Sequence, residues 1–227
     1  MKLKTRQIAL GLYVFCSLLA VIATIIDNDL MILLVKPAVI PAILYYYLST
    51  KTAKINWLFV SVLLLNFIGD SIVLLDFPNQ TLIIMIPYFI SYLIMLGFVG
   101  QDLQRIKFNA SGLLIVSLIF GFLMYVLYEL VQMFSDTNPE LIIPVIVYGI
   151  ALGLLGTIGA YNYYCKAATF TFYLLMYLIS SIVSDVFYML FHFLFEIQFL
   201  NYFEFALQLT SYFFVVKYFV SRKISGP

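Results

Sequence analysis

Two stretches of this chain, NFIGDSIVLL at 66–75 and SIVSDVFYML at 181–190, set a lone aspartate at the fifth position of an apolar run. Each aspartate, Asp70 or Asp185, directly follows a small residue, Gly69 or Ser184. An ionisable side chain deep in lipid costs about 2.5–3.5 kcal/mol on insertion scales, so it turns toward a protein interior or a watery cavity and marks a site. Two carboxylates brought together can share one proton. One then serves as general acid while the other stays charged beside a developing cation. The same pair can also relay protons across a membrane.

The elements that must carry these acids follow from composition. Of 227 residues, 64% are hydrophobic and 10% charged, against about 25% charged in a soluble domain. Spanning a bilayer takes about 20 apolar residues per helix. Eight such runs can be drawn, at 8–26, 30–49, 55–75, 81–100, 112–134, 141–161, 170–191 and 202–221. Because they are continuously apolar rather than alternating, they predict helices and not a β-barrel. The expected fold is an all-α integral membrane protein, a bundle of eight transmembrane helices in one domain over 1–227, with at most a weak parallel repeat of two four-helix halves. The first run is too long for a signal peptide and ends in no small-residue cleavage site.

Loop charges predict the orientation. Lys2, Lys4, Arg6, Lys51, Lys54, Arg105, Lys107, Lys166, Lys217, Arg222 and Lys223 all fall on one side of an eight-span chain. The other side carries DND at 27–29, DFPNQ at 76–80, SDTNPE at 135–140 and Glu196, with no Lys or Arg. Both termini are therefore predicted to be cytoplasmic, in a bacterial inner membrane. The net charge of +1 gives no nucleic-acid footprint.

With orientation fixed, Asp70, Asp185 and Lys36 share one layer toward the outer side. Helical spacing adds Asn66 one turn before Asp70, and Ser181, Tyr188 and His192 on the Asp185 face. Glu129 with Tyr125 and Gln132, and Glu204 with Gln208 and Ser211, point to the same outer half. The pattern describes a carboxylate-lined cavity closed toward the cytoplasm. In KPAVIP at 36–41, Pro37 and Pro41 lack N–H groups and should kink the second helix, freeing carbonyls for Asn66, Ser184 or water. Plainer readings exist for several of these residues. Lys36 can neutralise one Asp in a structural pair, His192 can be interfacial, and Glu196 and Glu204 can be solvated helix-end charges. Cys16 within the first run and Cys165 near the cytoplasmic end of the sixth suit no extracytoplasmic disulfide, two distant cysteines make no metal site, and Gly149, Gly153 and Gly156 are spaced for close helix packing.

In KPAVIP, the GD at 69–70, PVIVY at 144–148 and the SD at 184–185, the chain resembles the YhhN-like family of eight-helix membrane proteins, whose characterised members are lysoplasmalogenases. The resemblance implies Asp70 and Asp185 as catalytic residues, Lys36 as a pocket residue, a single-chain lipid as substrate, and neither metal nor other cofactor. PYFISYLIMLGF at 87–98 departs from the family pattern in having no histidine. Hydrolysis of a lysoplasmalogen starts with protonation of its vinyl ether at carbon. Water then attacks the oxocarbenium ion, releasing a fatty aldehyde and a glycerophospho head group. Asp185 is the predicted acid, since its neighbours are less polar than Asn66, Gly69 and Ser71 around Asp70. Two rivals remain. An intramembrane aspartyl protease wants glycine two residues before the Asp, where Ile68 stands. A proton-coupled carrier, or a lipid-binding protein without hydrolytic activity, would use the same buried acids.

Overall fold

The computed structural model describes residues 2–51, 54–75, 80–106, 109–136 and 138–222. Asp76, Lys107 and Lys223, among the predicted loop charges, lie outside these residues. Eight α-helices follow in order: α1 (Lys2–Ile25), α2 (Asp29–Thr50), α3 (Trp57–Val73), α4 (Gln80–Leu103), α5 (Ala110–Phe134), α6 (Ile142–Cys165), α7 (Thr169–Phe193) and α8 (Gln198–Ser221). A 3-10 turn, Pro139–Leu141, leads into α6. Each corresponds to one apolar run of the sequence, with ends that differ by a few residues.

Six of them, α1, α2, α4, α5, α6 and α7, are long and apolar enough to cross a membrane. The apolar α3 is shorter at 17 residues, and α8, 24 residues long, interrupts its apolar run with Glu204, Gln208 and Lys217. The chain is thus a helical, multi-pass membrane protein.

Polar residues set the helix ends. Asn28, Asn56 and Asn109 are N-caps whose side-chain oxygens accept from the backbone N–H of Met31, Phe59 and Ser111 at 2.9, 3.0 and 3.0 Å. Asp27, at φ 54°, stops α1 in the left-handed region. The Asp27 and Asn28 N–H groups turn back to Thr24 and Ala23, capping the freed carbonyls before Asn28 starts α2.

Sequence neighbours pack as hairpins: α1 with α2, α3 with α4, α5 with α6, and α7 with α8. The chain closes a seven-helix ring by placing α2 on α3, α4 on α6, α6 on α7, and α8 back on α1 and α2. Helix α5 stands outside this ring, against α6 and the edge of α7. Lipid offers no hydrophobic drive between helices, so small residues decide which pairs approach closely. The α6 glycines divide that task. Gly149 and Gly153 leave room for Leu127 and Met124 of α5, while Gly156 and Gly159 leave room for Ile182 and Leu178 of α7.

One end of the ring is a dense aromatic core. Phe59 and Phe219 stack with centroids 4.0 Å apart, and Tyr47 and Phe98 meet them edge-on. Beside it, Arg222 and Asp102 form the one ion pair among the described residues, at 2.7 Å. This end is formed by the C-terminal halves of α2, α4 and α8 and the start of α3. The polar residues of the sequence pattern gather toward the other.

Candidate active site

Asp70 ends up beside α4 and α8. Tyr88 of α4 donates to its Oδ1 at 2.5 Å, Gln208 Nε2 donates to the same oxygen at 3.0 Å, and the Tyr212 hydroxyl reaches both oxygens at 3.0 and 2.9 Å. Gln208 also donates to the Tyr88 hydroxyl at 2.9 Å. Gln208 and Tyr212 lie one helical turn apart, so a single face of α8 supplies two of the three partners.

Asp185 is held one turn along the same α4 face. Its Oδ2 accepts from Tyr92 of α4 at 3.1 Å and from Tyr148 of α6 at 2.7 Å. The spacing of four between Tyr88 and Tyr92 therefore joins the two acids through one helix. Among the described residues the carboxylates share no hydrogen bond. Each has its own donors.

A cavity of about 250 Å³ distinguishes them. Asp185 lines it, together with Lys36, Tyr188, His192, Asn201, Glu204 and Gln208. Asp70 is 3% exposed and sits behind Tyr88 and Gln208, the two partners that do reach the cavity. Helix α5, although outside the ring, supplies an apolar wall of Leu123, Val126, Leu127 and Leu130. The cavity is therefore amphiphilic, with charges at one side and leucines at the other.

Of the other predicted residues, Lys36 makes no ion pair among the described residues. Its Nζ lies 4.7 Å from the centre of the Phe205 ring, within electrostatic reach of Asp70 and Glu204. The structural Lys–Asp pair is thus not formed. Glu204 is no solvated helix-end charge, for it is half-buried and close enough to Lys36, Asp185 and Asp70 to feel all three. His192 is exposed, stacks on Tyr188 with ring centres 4.0 Å apart, and keeps Nδ1 3.0 Å from the Tyr188 carbonyl. Glu196 is exposed in the α7–α8 connection.

Four polar residues take other places than the spacing suggested. Glu129 does not line the cavity, because α5 turns that side outward, where Glu129 bonds with Tyr125, itself 59% exposed. Asn66 and Ser181 are buried in the bundle without lining the cavity. Ser184 donates to the Glu204 carbonyl at 3.0 Å, fastening α7 to α8 rather than meeting carbonyls freed in α2. Helix α2 itself runs on through Pro37 and Pro41. Cys16 and Cys165 are both free thiols.

The residues that sequence reasoning missed are Tyr88, Tyr92, Tyr148 and Tyr212. Their local signals are weak: Tyr148 closes the PVIVY stretch at 144–148, and Tyr88 and Tyr92 are spaced by four, a pattern lost among 18 tyrosines. The small residues before the aspartates do carry meaning, but a different one in each helix. A Cβ on Gly69 would lie 2.7 Å from Cζ of the Tyr88 ring, so only glycine lets that ring settle against α3 and reach Asp70. Gly69→Ala should therefore push Tyr88 off Asp70 and destabilise the protein by about 1–3 kcal/mol, the usual cost of overpacking. Unfolding of the purified variant in mixed micelles checks this, and an unchanged stability would show that the ring has room to move.

No family model matches the chain, nor does any curated protein or solved structure.

Proposed function

We propose that this protein is a membrane lipid hydrolase of the lysoplasmalogenase type, with Asp185 as its general acid. The observation that carries the reading is the cavity. It joins a clamped carboxylic acid, a second carboxylate at Glu204, a cation at Lys36 and an apolar wall from α5 in one amphiphilic space. A lipid with one chain matches that division, its tail against Leu123, Val126, Leu127 and Leu130 and its head toward Lys36 and His192.

In the proposed reaction, Asp185 gives its proton to the vinyl carbon one bond removed from the ether-bearing carbon. The ether oxygen donates its electron pair, leaving an oxocarbenium ion. Glu204 faces this cation as a charge partner and takes a proton from the attacking water, by analogy with the two carboxylates of glycosidases. The resulting hemiacetal collapses to a fatty aldehyde and a glycerophospho alcohol. Tyr92 and Tyr148 fix the Asp185 carboxyl, which lowers the cost of orienting the acid. Asp70 acts as a positioning residue, holding Tyr88 and Gln208 at the cavity wall. Lys36 meets the substrate phosphate as a point charge.

The test is aldehyde release from lysoplasmenyl-ethanolamine by the purified protein, beside its acyl analogue. Aldehyde from the vinyl ether alone supports the reading. A folded, monodisperse protein that releases none overturns it for this substrate. The second reading, a proton-coupled carrier, draws on Ser91, Thr157 and the Asn162 side-chain oxygen, buried polar groups without hydrogen-bond partners among the described residues. Such groups call for water. Uptake of labelled lysolipid into liposomes without conversion would favour it.

The proposal includes the topology: all eight helices span, both termini face the cytoplasm, and the membrane is a bacterial inner membrane. Lys54→Cys, in the α2–α3 connection, and Glu140→Cys, before α6, should then react with an impermeant thiol reagent from opposite sides of intact spheroplasts, once Cys16 and Cys165 are replaced. Only Glu140→Cys is expected to label from outside. The reverse pattern would invert the orientation.

A further inference from the structure

A second cavity, of about 350 Å³, opens at the far end of the bundle from Asp185, where the C-terminal ends of α4, α6 and α8 meet the start of α7. Its basic lining is Arg105, Lys166 and Arg222, with Asp102 as the one acid. Asp102 is already engaged: both of its oxygens accept from Arg222 Nε at 2.7 and 3.0 Å, and Tyr218 donates to Oδ2 at 2.5 Å. The ion pair cancels one positive charge and leaves two. Arg105 and Lys166 are exposed, and neither makes an ion pair among the described residues.

Two further positive features border this space. Arg222 is 93% buried and lines the space with a guanidinium held in place, Nε on Asp102 and Nη2 on the Phe98 carbonyl and Gln101 at 3.1 and 3.2 Å. Helix α7 starts here with alanine as its N-cap; Thr171 Oγ1 accepts from the Ala168 N–H at 3.0 Å, but the alanine offers no side-chain acceptor to the N–H groups of the first turn. The first N–H groups of a helix have no acceptor of their own, and the positive end of its dipole lies there. Ala168, Thr169 and Phe170 of that first turn all line the cavity. A helix start beside the exposed Arg105, Lys166 over the Phe170 ring at 5.7 Å and the buried Arg222 guanidinium is an arrangement for an oxyanion with several acceptor oxygens.

We infer that this cavity binds the phosphate of an anionic ligand, either a lipid head group at the bilayer interface or a soluble phosphate compound. The inference is independent of the hydrolase reading, since the cavity shares no lining residue with the one around Asp185. Basic pockets between transmembrane helices near the interface take anionic head groups by the same electrostatics.

The experiment uses the full chain in detergent micelles, titrated calorimetrically with dioctanoyl-phosphatidylglycerol, with inorganic phosphate, and with dioctanoyl-phosphatidylcholine as the zwitterionic control. Arg105→Gln with Lys166→Gln changes two exposed side chains and leaves the Asp102–Arg222 pair intact. A basic side chain near a charged surface contributes about fivefold in affinity, so the double variant should bind phosphatidylglycerol roughly 30-fold more weakly, with phosphatidylcholine binding unmoved. That outcome supports a lipid occupant. Binding of inorganic phosphate with the same sensitivity, and none of the lipid, supports a soluble one. Binding of neither probe, or binding that ignores the double substitution while the variant's thermal unfolding matches wild type, overturns the inference.

Discussion

Asp185→Asn is expected to cut aldehyde release by about 10²- to 10⁴-fold, the range that a positioned general acid contributes. Asparagine keeps the shape of the side chain. Its oxygen can still accept from Tyr92 and Tyr148, which now bond to Oδ2 at 3.1 and 2.7 Å. What it loses is the transferable proton. Asp70→Asn provides the contrast, because its carboxyl lies behind Tyr88 and Gln208 and does not line the cavity. In that variant the side-chain oxygen keeps the Tyr88 and Gln208 bonds, and the amide can donate to the Tyr212 hydroxyl. Its effect is expected to be smaller and to come through the placement of Tyr88 and Gln208, so it should raise KM along with any loss in kcat. Steady-state rates for both variants, with folding checked by circular dichroism, decide the matter. Full activity in Asp185→Asn would remove Asp185 from the chemistry, and loss in both to the same degree would argue for a joint carboxylate pair instead.

Stability should depend most on the other buried aspartate. Arg222→Met is expected to cost about 3–5 kcal/mol, since it strands the Asp102 carboxylate without its partner in a buried site. Asp102 is 5% exposed, and Arg222 otherwise supplies it with Nε while stacking its guanidinium 5.3 Å from the centre of the Phe98 ring. The expensive element is the unpaired charge rather than the lost attraction. Arg222→Met combined with Asp102→Asn should therefore recover a large part of the loss. A double-mutant cycle by unfolding in mixed micelles measures that coupling. Additive losses would mean that water reaches Asp102 once the arginine is gone.

The helices are legible in the sequence for a reason specific to lipid. A backbone without water must bond within its own segment, so an apolar run of sufficient length is a helix whatever its neighbours are. That is why the eight runs correspond to α1 through α8, with errors confined to a few residues at the ends. It is also why Asp70, Asp185 and Lys36 stood out, since a charge inside such a run is conspicuous in one dimension. Arg222 and Asp102 did not stand out, because at helix ends they look like ordinary interfacial charges until they are seen to pair.

Facing is where local reasoning stopped. A soluble helix shows its buried side by an apolar stripe, but a helix apolar all round offers no such stripe, and depth alone cannot say which way a side chain points. Glu129 does not face the cavity that the spacing assigned it, because nothing in α5 shows that the helix lies outside the ring. Tyr88, Tyr92, Tyr148 and Tyr212 become partners of the two acids only through contacts between helices up to 142 positions apart in sequence.

The sequence by itself thus determined the class of the protein, its helices and the presence of charged groups in one layer, all consequences of local hydrophobicity and the bilayer's demand for self-satisfied backbone. The tertiary structure decided that α4 meets α6 past α5, that Asp185 faces the cavity while Asp70 lies behind its own donors, and that Arg222 closes on Asp102. Those outcomes rest on which glycines admit which side chains, and on which hydroxyls reach which carboxylates, and these are distances between helices rather than properties of any one of them.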